Sequence, residues 1–167
     1  MLTLVRTWLE MCWLRATPRQ VPASPYLLWL ALGFYLLVDL LTALPGAGWR
    51  SALGLTLVDL ALLVGFTALL LRLSGKQARL NQTLSALAGT GALLGLVALP
   101  LVLAVQQDPA PPLAGLLWLV VLFWSLAVRA HILRHALSVP FGVGLVISAV
   151  YAVILLWLVQ WLFPISR

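Results

Sequence analysis

The sequence predicts an all-α, polytopic membrane protein: five transmembrane helices preceded by an amphipathic interfacial helix. Of its 167 residues, 63% are hydrophobic and only 8% are charged. A water-soluble domain of this size could not cover its surface with so few polar side chains. The chain also offers five apolar runs between breakers or charges, each close to the roughly 20 helical residues that cross a hydrocarbon core of about 30 Å.

Residues 1–17 are predicted to form the amphipathic helix. At about 100° per residue, Arg6, Thr7 and Glu10 share one arc, whereas Trp8 and Trp13 belong to the apolar arc. Such a helix can lie in the headgroup region with its tryptophans at the interface, or it can dock on a partner. We expect the interfacial position, and we expect the five-span core to fold without this segment.

The rest of the chain divides into a linker and a five-helix transmembrane bundle. Residues 18–24 are rich in proline and cannot continue a helix. Residues 25–167 form the bundle, in which prolines, glycines and short polar turns separate the helices. The predicted spans are about 25–44, 49–71, 84–105, 113–137 and 140–163.

The basic residues of the short loops predict the orientation in the membrane. With these spans, eight of the ten lysines and arginines fall on one side, and Arg50 and Arg167 fall on the other. The N-terminus is therefore expected in the cytoplasm and the C-terminus outside. The residues that we assign to the cytoplasmic interface are Trp8, Trp13, Arg72, Lys76, Arg79, Arg129 and Arg134.

Asp39 and Asp59 lie inside predicted spans, on antiparallel helices joined by a short turn. An ionised carboxyl at the centre of a bilayer costs about 2.5–3.5 kcal/mol on insertion scales, which favours protonation, a polar partner or a wet cavity. Thr42 and Thr56 lie three residues away and are candidate polar partners. One interpretation is a proton or cation site. The other interpretation is that the carboxyls hold the helices in register. We favour it because the apolar part of the fourth span ends at Arg129, so that no lysine or arginine is expected deep in the membrane to pair with them.

The third span contains a G-x-x-x-G pattern, Gly91 to Gly95, with Gly89 close by. Small residues at this spacing share one helix face and predict close approach of another helix. That helix could belong to this chain or to a second protomer, and we expect packing within the chain. Leucine at Gly91 or Gly95 should disrupt folding, whereas Gly89→Ala should be milder because it adds only a methyl group.

No catalytic set or cofactor site is evident. His131 and His135 have the spacing of a metal-binding pair, but a zinc site needs further ligands, and the single cysteine, Cys12, lies on a different element. A phosphate-binding glycine loop and a nucleophile elbow are missing. We therefore expect no metal, no cofactor and no enzymatic activity. The net charge of +6 comes mostly from loops and fits membrane topology rather than nucleic-acid binding.

Two stretches of the chain, RLSGKQARLNQTLSALAGTGALLG and LRHALSVPFGVGLVIS, together with the five-span topology, resemble the Yip family of membrane proteins. Eukaryotic members of that family interact with Rab-type GTPases in vesicle traffic. The acidic, glycine-and-proline signature that those members carry before their first span is absent here, so the GTPase-binding role does not transfer. The short length and arginine-rich inner loops look like a bacterial relative, which implies an inner-membrane protein without assigned chemistry.

These observations predict a non-enzymatic integral membrane protein that acts as a scaffold or partner in a membrane complex. Its expected partners are the lipid bilayer and either another protein or a second copy of the chain, and not nucleic acid. The alternative is a small proton- or cation-linked transporter or channel that uses Asp39 and Asp59. The position of these two side chains, in a wet cavity, in lipid or among packed helices, separates the two functions.

Overall fold

The computed structural model describes residues 2–163; Met1 and residues 164–167, which include Arg167, lie outside this range. The described residues form six α-helices and two short 3-10 turns, at Pro18–Gln20 and Gln77–Arg79. The helices are α1 (Leu2–Cys12), α2 (Pro25–Ala43), α3 (Trp49–Leu73), α4 (Leu80–Val105), α5 (Pro112–Leu137) and α6 (Phe141–Leu162). Helices α2 to α6 are long and apolar enough to cross a membrane. The predicted all-α class is confirmed, and the chain is a multi-pass integral membrane protein.

Prolines mark the start of three of the spans. Pro25 begins α2, Pro112 begins α5, and Pro140 immediately precedes α6. A proline suits the first helical position because the N–H that it lacks would be unpaired there in any case. The largest difference from the predicted spans is at α4, which begins at Leu80 rather than near Leu84, because the turn Gln77–Arg79 runs directly into the helix.

Helix α4 lies at the centre of the bundle, in contact with α1, α2, α3 and α5. Its N-terminal half is buried and rich in small residues, which let neighbouring backbones approach closely. Gly91 and Gly95 face α2. A β-carbon on Gly91 would lie 2.7 Å from Cε2 of Tyr35, and one on Gly95 would lie 2.7 Å from Cγ1 of Val38. The G-x-x-x-G pattern therefore packs against a helix of the same chain.

Helix α1 is amphipathic, but its apolar face is docked on the bundle. Trp8, which the sequence analysis assigns to the interface, is only 3% exposed and belongs with Met11 to the main hydrophobic core. Gly89 on α4 provides the space for the indole, since a β-carbon there would lie 2.6 Å from Nε1 of Trp8 and closer still to the ring-fusion atoms. Trp13 remains 68% exposed.

This geometry corrects two expectations. The segment before the linker is packed into the core, so the five spans should not fold equally well without it. Gly89→Ala should also be disruptive rather than mild. An amphipathic pattern reports only that one helix face is apolar, and it does not distinguish a lipid surface from a surface of the same protein.

Hydrogen bonds fasten the end of α1 and the following chain to α5. Nε1 of Trp124 donates to the carbonyl oxygen of Cys12 at 3.0 Å, and Nε2 of His131 donates to that of Ala16 at 3.0 Å. The ring of His131 also packs edge-on against His135, with 4.7 Å between ring centroids. The histidine pair therefore helps to hold the N-terminal segment. Among residues 2–163, no group of three histidine, cysteine, aspartate or glutamate side chains is placed to hold a metal ion.

Two loops meet at one end of the bundle. Nζ of Lys76 donates to the carbonyl oxygen of Leu137, and Nη1 of Arg79 donates to that of Ala136 at 2.9 Å. Cations are favoured at a helix C-terminus because they satisfy unpaired carbonyl groups and oppose the negative end of the helix dipole. The loop between α3 and α4 and the loop between α5 and α6 therefore lie at the same end.

Candidate functional site

Asp59 lies in the middle of α3 and is buried between helices. It is ten residues beyond Trp49, where the helix begins, which is about 15 Å along the axis. Its carboxyl group accepts two side-chain hydrogen bonds. The hydroxyl of Tyr151 donates to Oδ1 at 2.6 Å, and the hydroxyl of Tyr35 donates to Oδ2. Each carboxyl oxygen thus has its own donor, and the two donors come from different helices.

The two tyrosines occupy equivalent positions in their spans. Tyr35 is ten residues beyond Pro25 at the start of α2, and Tyr151 is ten residues beyond Phe141 at the start of α6. Both are buried, so their hydroxyl groups need a partner within the protein. The carboxyl group of Asp59 accepts a hydrogen bond from both hydroxyls. The shared acceptor links α2, α3 and α6 at mid-membrane depth.

Arg129 on α5 completes this arrangement. The central carbon of its guanidinium group lies 4.0 Å from the centroid of the Tyr151 ring, within the range of a cation–π contact. Its charge also interacts with Tyr35 and Asp59. We call Tyr35, Asp59, Arg129 and Tyr151 the polar cluster. Each member comes from a different span.

The structure places Arg129 inside the bundle, although the sequence analysis puts it at the cytoplasmic interface. Helix α5 continues for eight residues beyond it, to Leu137, which corresponds to about 12 Å along the axis. Asp59 therefore does have a cationic neighbour within the spans. A nearby cation lowers the cost of burying a carboxyl group within the spans.

The threonines that we proposed as partners of the carboxyl groups bond mainly within their own helices. Oγ1 of Thr42 donates to the backbone oxygen of Asp39 at 2.8 Å, and Oγ1 of Thr56 donates to that of Ala52 at 2.8 Å. The Thr56 hydroxyl also approaches the Asp39 carboxyl across the contact between α2 and α3. The two aspartates lie close enough for their charges to interact.

Asp39 faces a cavity, unlike Asp59. The cavity has a volume of about 190 Å³, is partly open, and lies between α2, α4 and α5. Its polar lining consists of Tyr35, Asp39, Thr42, Ser125 and Arg129. The volume leaves room for several water molecules, which would have polar partners on its walls. Tyr35 and Arg129 belong both to this cavity and to the polar cluster, so the two are adjacent.

Asp39 and Asp59 are predicted from the sequence as polar residues within the spans and Arg129 as an interfacial residue, whereas Tyr35 and Tyr151 are not predicted as site residues. One signal was present. Tyrosines in membrane proteins concentrate at the two interfaces, where the ring is buried and the hydroxyl reaches water. Tyr35 and Tyr151 instead lie near the centres of their predicted spans, where each hydroxyl has to find an acceptor in the protein.

Comparisons of this chain with protein-family models, with curated proteins and with solved structures find no match.

Proposed function

We propose that this chain is a non-enzymatic membrane protein that acts as a scaffold or partner in a membrane complex. In this proposal the polar cluster has a structural role and holds α2, α3, α5 and α6 together. The observation that carries the proposal is that both carboxyl oxygens of Asp59 accept tyrosine hydroxyls, while the charge of Arg129, which stacks on Tyr151, also interacts with this carboxyl. A cation that bound to Asp59 would have to displace these donors and approach a guanidinium group of the same charge.

The connections between spans also favour this function. None of them is longer than six residues, since the longest are 74–79 and 106–111. Such loops are too short to hold a separate folded unit. Contacts with another protein, or with a second copy of the chain, would therefore be made by the spans themselves or by the exposed side of α1.

We propose a bacterial inner-membrane location with the N-terminus in the cytoplasm and the C-terminus outside, as in a bacterial relative of the Yip family. The contacts of Lys76 and Arg79 with the end of α5 gather the basic loops at one end of the bundle. Arg19 and Arg134 line one cavity at that end. An excess of lysine and arginine in short loops marks the cytoplasmic side.

The rival function, a small proton- or cation-linked transporter, has one observation in its favour. Asp39 lines a partly open cavity of about 190 Å³ together with Thr42 and Ser125. A carboxyl group in a wet, polar cavity within a span can take up and release a proton. Arg129 on the same wall weakens the case for a metal cation, because it adds positive charge where the ion would bind.

The experiment compares ion flux and folding in purified protein. Proteoliposomes containing the wild type, Asp39→Asn or Asp59→Asn are tested for proton and alkali-cation flux, with Asp108→Asn in an exposed loop as the matched control. We expect no flux above that of empty liposomes for any of the four proteins. Flux by the wild type that is lost in either asparagine variant and kept in the control would establish the transporter instead.

Cross-linking in native membranes tests the scaffold function directly. Asparagine can keep the hydrogen bonds to Tyr35 and Tyr151, because its amide offers both an acceptor and a donor to hydroxyl groups. We therefore expect Asp59→Asn to form the same cross-linked complexes as the wild type, and Asp59→Leu to lose them together with its fold. A wild type that forms no cross-linked complex with itself or with another protein would refute the scaffold function.

A further inference from the structure

A second cavity opens at the end of the bundle where the basic loops meet. Its volume is about 340 Å³, and three separate parts of the chain form its walls. Arg19 comes from the 3-10 turn before α2, Arg134 and His135 come from the last turns of α5, and Pro140 and Phe141 come from the start of α6. None of these residues belongs to the polar cluster or lines the cavity beside it.

The walls carry positive charge that no acidic side chain balances. The sequence contains four acidic residues, Glu10, Asp39, Asp59 and Asp108, and none of them lines this cavity. Glu10 forms an ion pair with Arg6 on α1, and the other three lie elsewhere. A concave surface that is lined by one sign of charge raises the local concentration of ions of the opposite sign.

The arginine side chain is held in a defined position. Nε of Arg134 donates to Nε2 of His135 at 3.2 Å, and the guanidinium carbon lies 5.8 Å from the centroid of the Phe141 ring. Helix α6 begins at the same cavity, so the positive end of its dipole adds to the arginine charges. The planar guanidinium fork matches two oxygens of a phosphate group, which a lysine cannot do.

We propose that this cavity binds the phosphate group of an anionic phospholipid headgroup. It lies at the ends of spans α5 and α6, which is where the headgroup region is expected for helices that cross the hydrocarbon core. Val139, Pro140 and Phe141 provide an apolar wall next to the basic one, which suits the glycerol and upper acyl chain that a lipid carries beside its phosphate. Basic pockets between spans are known to hold anionic headgroups. This proposal depends only on the chain being a membrane protein, and it holds whether the chain acts as a scaffold or as a transporter.

Thermal stability in a neutral detergent tests the proposal. The folded protein is titrated with a short-chain phosphatidylglycerol, and separate titrations use the phosphatidylcholine of the same chain length and inorganic phosphate. We expect phosphatidylglycerol to raise the unfolding midpoint in a saturable way and the other two to have little effect. Arg19→Gln and Arg134→Gln should each raise the half-saturating concentration about tenfold, as loss of one charge-assisted hydrogen bond predicts.

Arg72→Gln is the matched control, because Arg72 is an exposed basic residue in the last turn of α3 and does not line the cavity. Its titration should equal that of the wild type. Arg19 is exposed, so Arg19→Gln keeps the test valid if Arg134→Gln fails to fold. An equal loss in all three variants would overturn the site in favour of general charge attraction. An equal effect of inorganic phosphate would reassign the site to the free anion.

Discussion

Replacing Gly89 with alanine should loosen the attachment of α1 to the bundle. The added β-carbon would lie 2.6 Å from Nε1 of Trp8 and closer to Cε2 and Cδ2. Carbon atoms in favourable contact are about 3.5–4.0 Å apart, so the indole must retreat by roughly 1 Å or more. The atoms involved are at the rigid ring fusion, and Trp8 is buried on its other sides. The whole of α1 therefore has to shift.

Two opposing terms set the size of the effect. Overpacking of a buried site costs about 1–3 kcal/mol, whereas alanine in a helix is favoured over glycine by about 1 kcal/mol. We expect a net loss of about 1–2 kcal/mol. In a Trp8→Ala background the steric term disappears, so Gly89→Ala should become neutral or stabilising. Trp8→Ala alone should cost about 3–5 kcal/mol, as for other large-to-small changes in a core.

The assay is equilibrium unfolding in mixed detergent micelles, followed by far-ultraviolet circular dichroism. Gly65→Ala is the matched control, because a β-carbon at this position on α3 would have no neighbouring atom within 4 Å. It should be neutral or slightly stabilising. If Gly89→Ala were as stable as Gly65→Ala, or if it cost the same with and without Trp8, then α1 would not be docked at Gly89.

Three further predictions concern other parts of the chain. Gly95→Leu should lower the unfolding temperature, because even a β-carbon there would lie 2.7 Å from Val38; wild-type stability would contradict the α2–α4 contact. Burial raises the pKa of the Cys12 thiol from 9.0 to about 11. Its alkylation should therefore be slow at neutral pH, and stability should fall as the pH rises from about 9 to 11, because only the unfolded thiol ionises there; rapid alkylation at neutral pH would argue against burial. Single cysteines can be introduced near Asp108 or near Lys76 in a variant of the protein without Cys12. In intact cells, a membrane-impermeant thiol reagent should label the cysteine near Asp108 and not the one near Lys76; the reverse pattern would invert the orientation.

The five spans could be predicted from the sequence because a bilayer leaves few alternatives. A chain in hydrocarbon has to satisfy its backbone groups internally, so each long apolar run must be a helix. The docking of α1 could not be predicted in the same way, because Trp8 is apolar in either environment. The relevant signal is on the other helix, where Gly89 leaves room for a large side chain.

The polar cluster was predictable only in part, because its members are distant in the sequence. Asp59 is 24 residues from Tyr35 and 92 residues from Tyr151. Whether such side chains meet depends on how each helix is rotated about its axis. In α6, which is apolar on nearly every side, hydropathy does not define that rotation. The sequence assigns Arg129 to the interface because the apolar run of the fourth span ends there, whereas α5 continues to Leu137.

From the sequence alone, Asp39 and Asp59 are equivalent carboxyl groups within the spans. In the structure, their different surroundings give them different chemistry. Asp59 has two tyrosine donors and an arginine neighbour, so both of its carboxyl oxygens already have partners in the protein. Asp39 lines a partly open cavity and faces a threonine. Any proton that this protein moves would therefore have to bind at Asp39, because both oxygens of the Asp59 carboxyl already accept tyrosine hydroxyls. Because the two carboxyls interact, a change of charge at Asp39 would be felt by the polar cluster. Asp39→Asn consequently distinguishes transport from scaffolding more sharply than Asp59→Asn, since it removes the accessible carboxyl and leaves every member of the polar cluster in place.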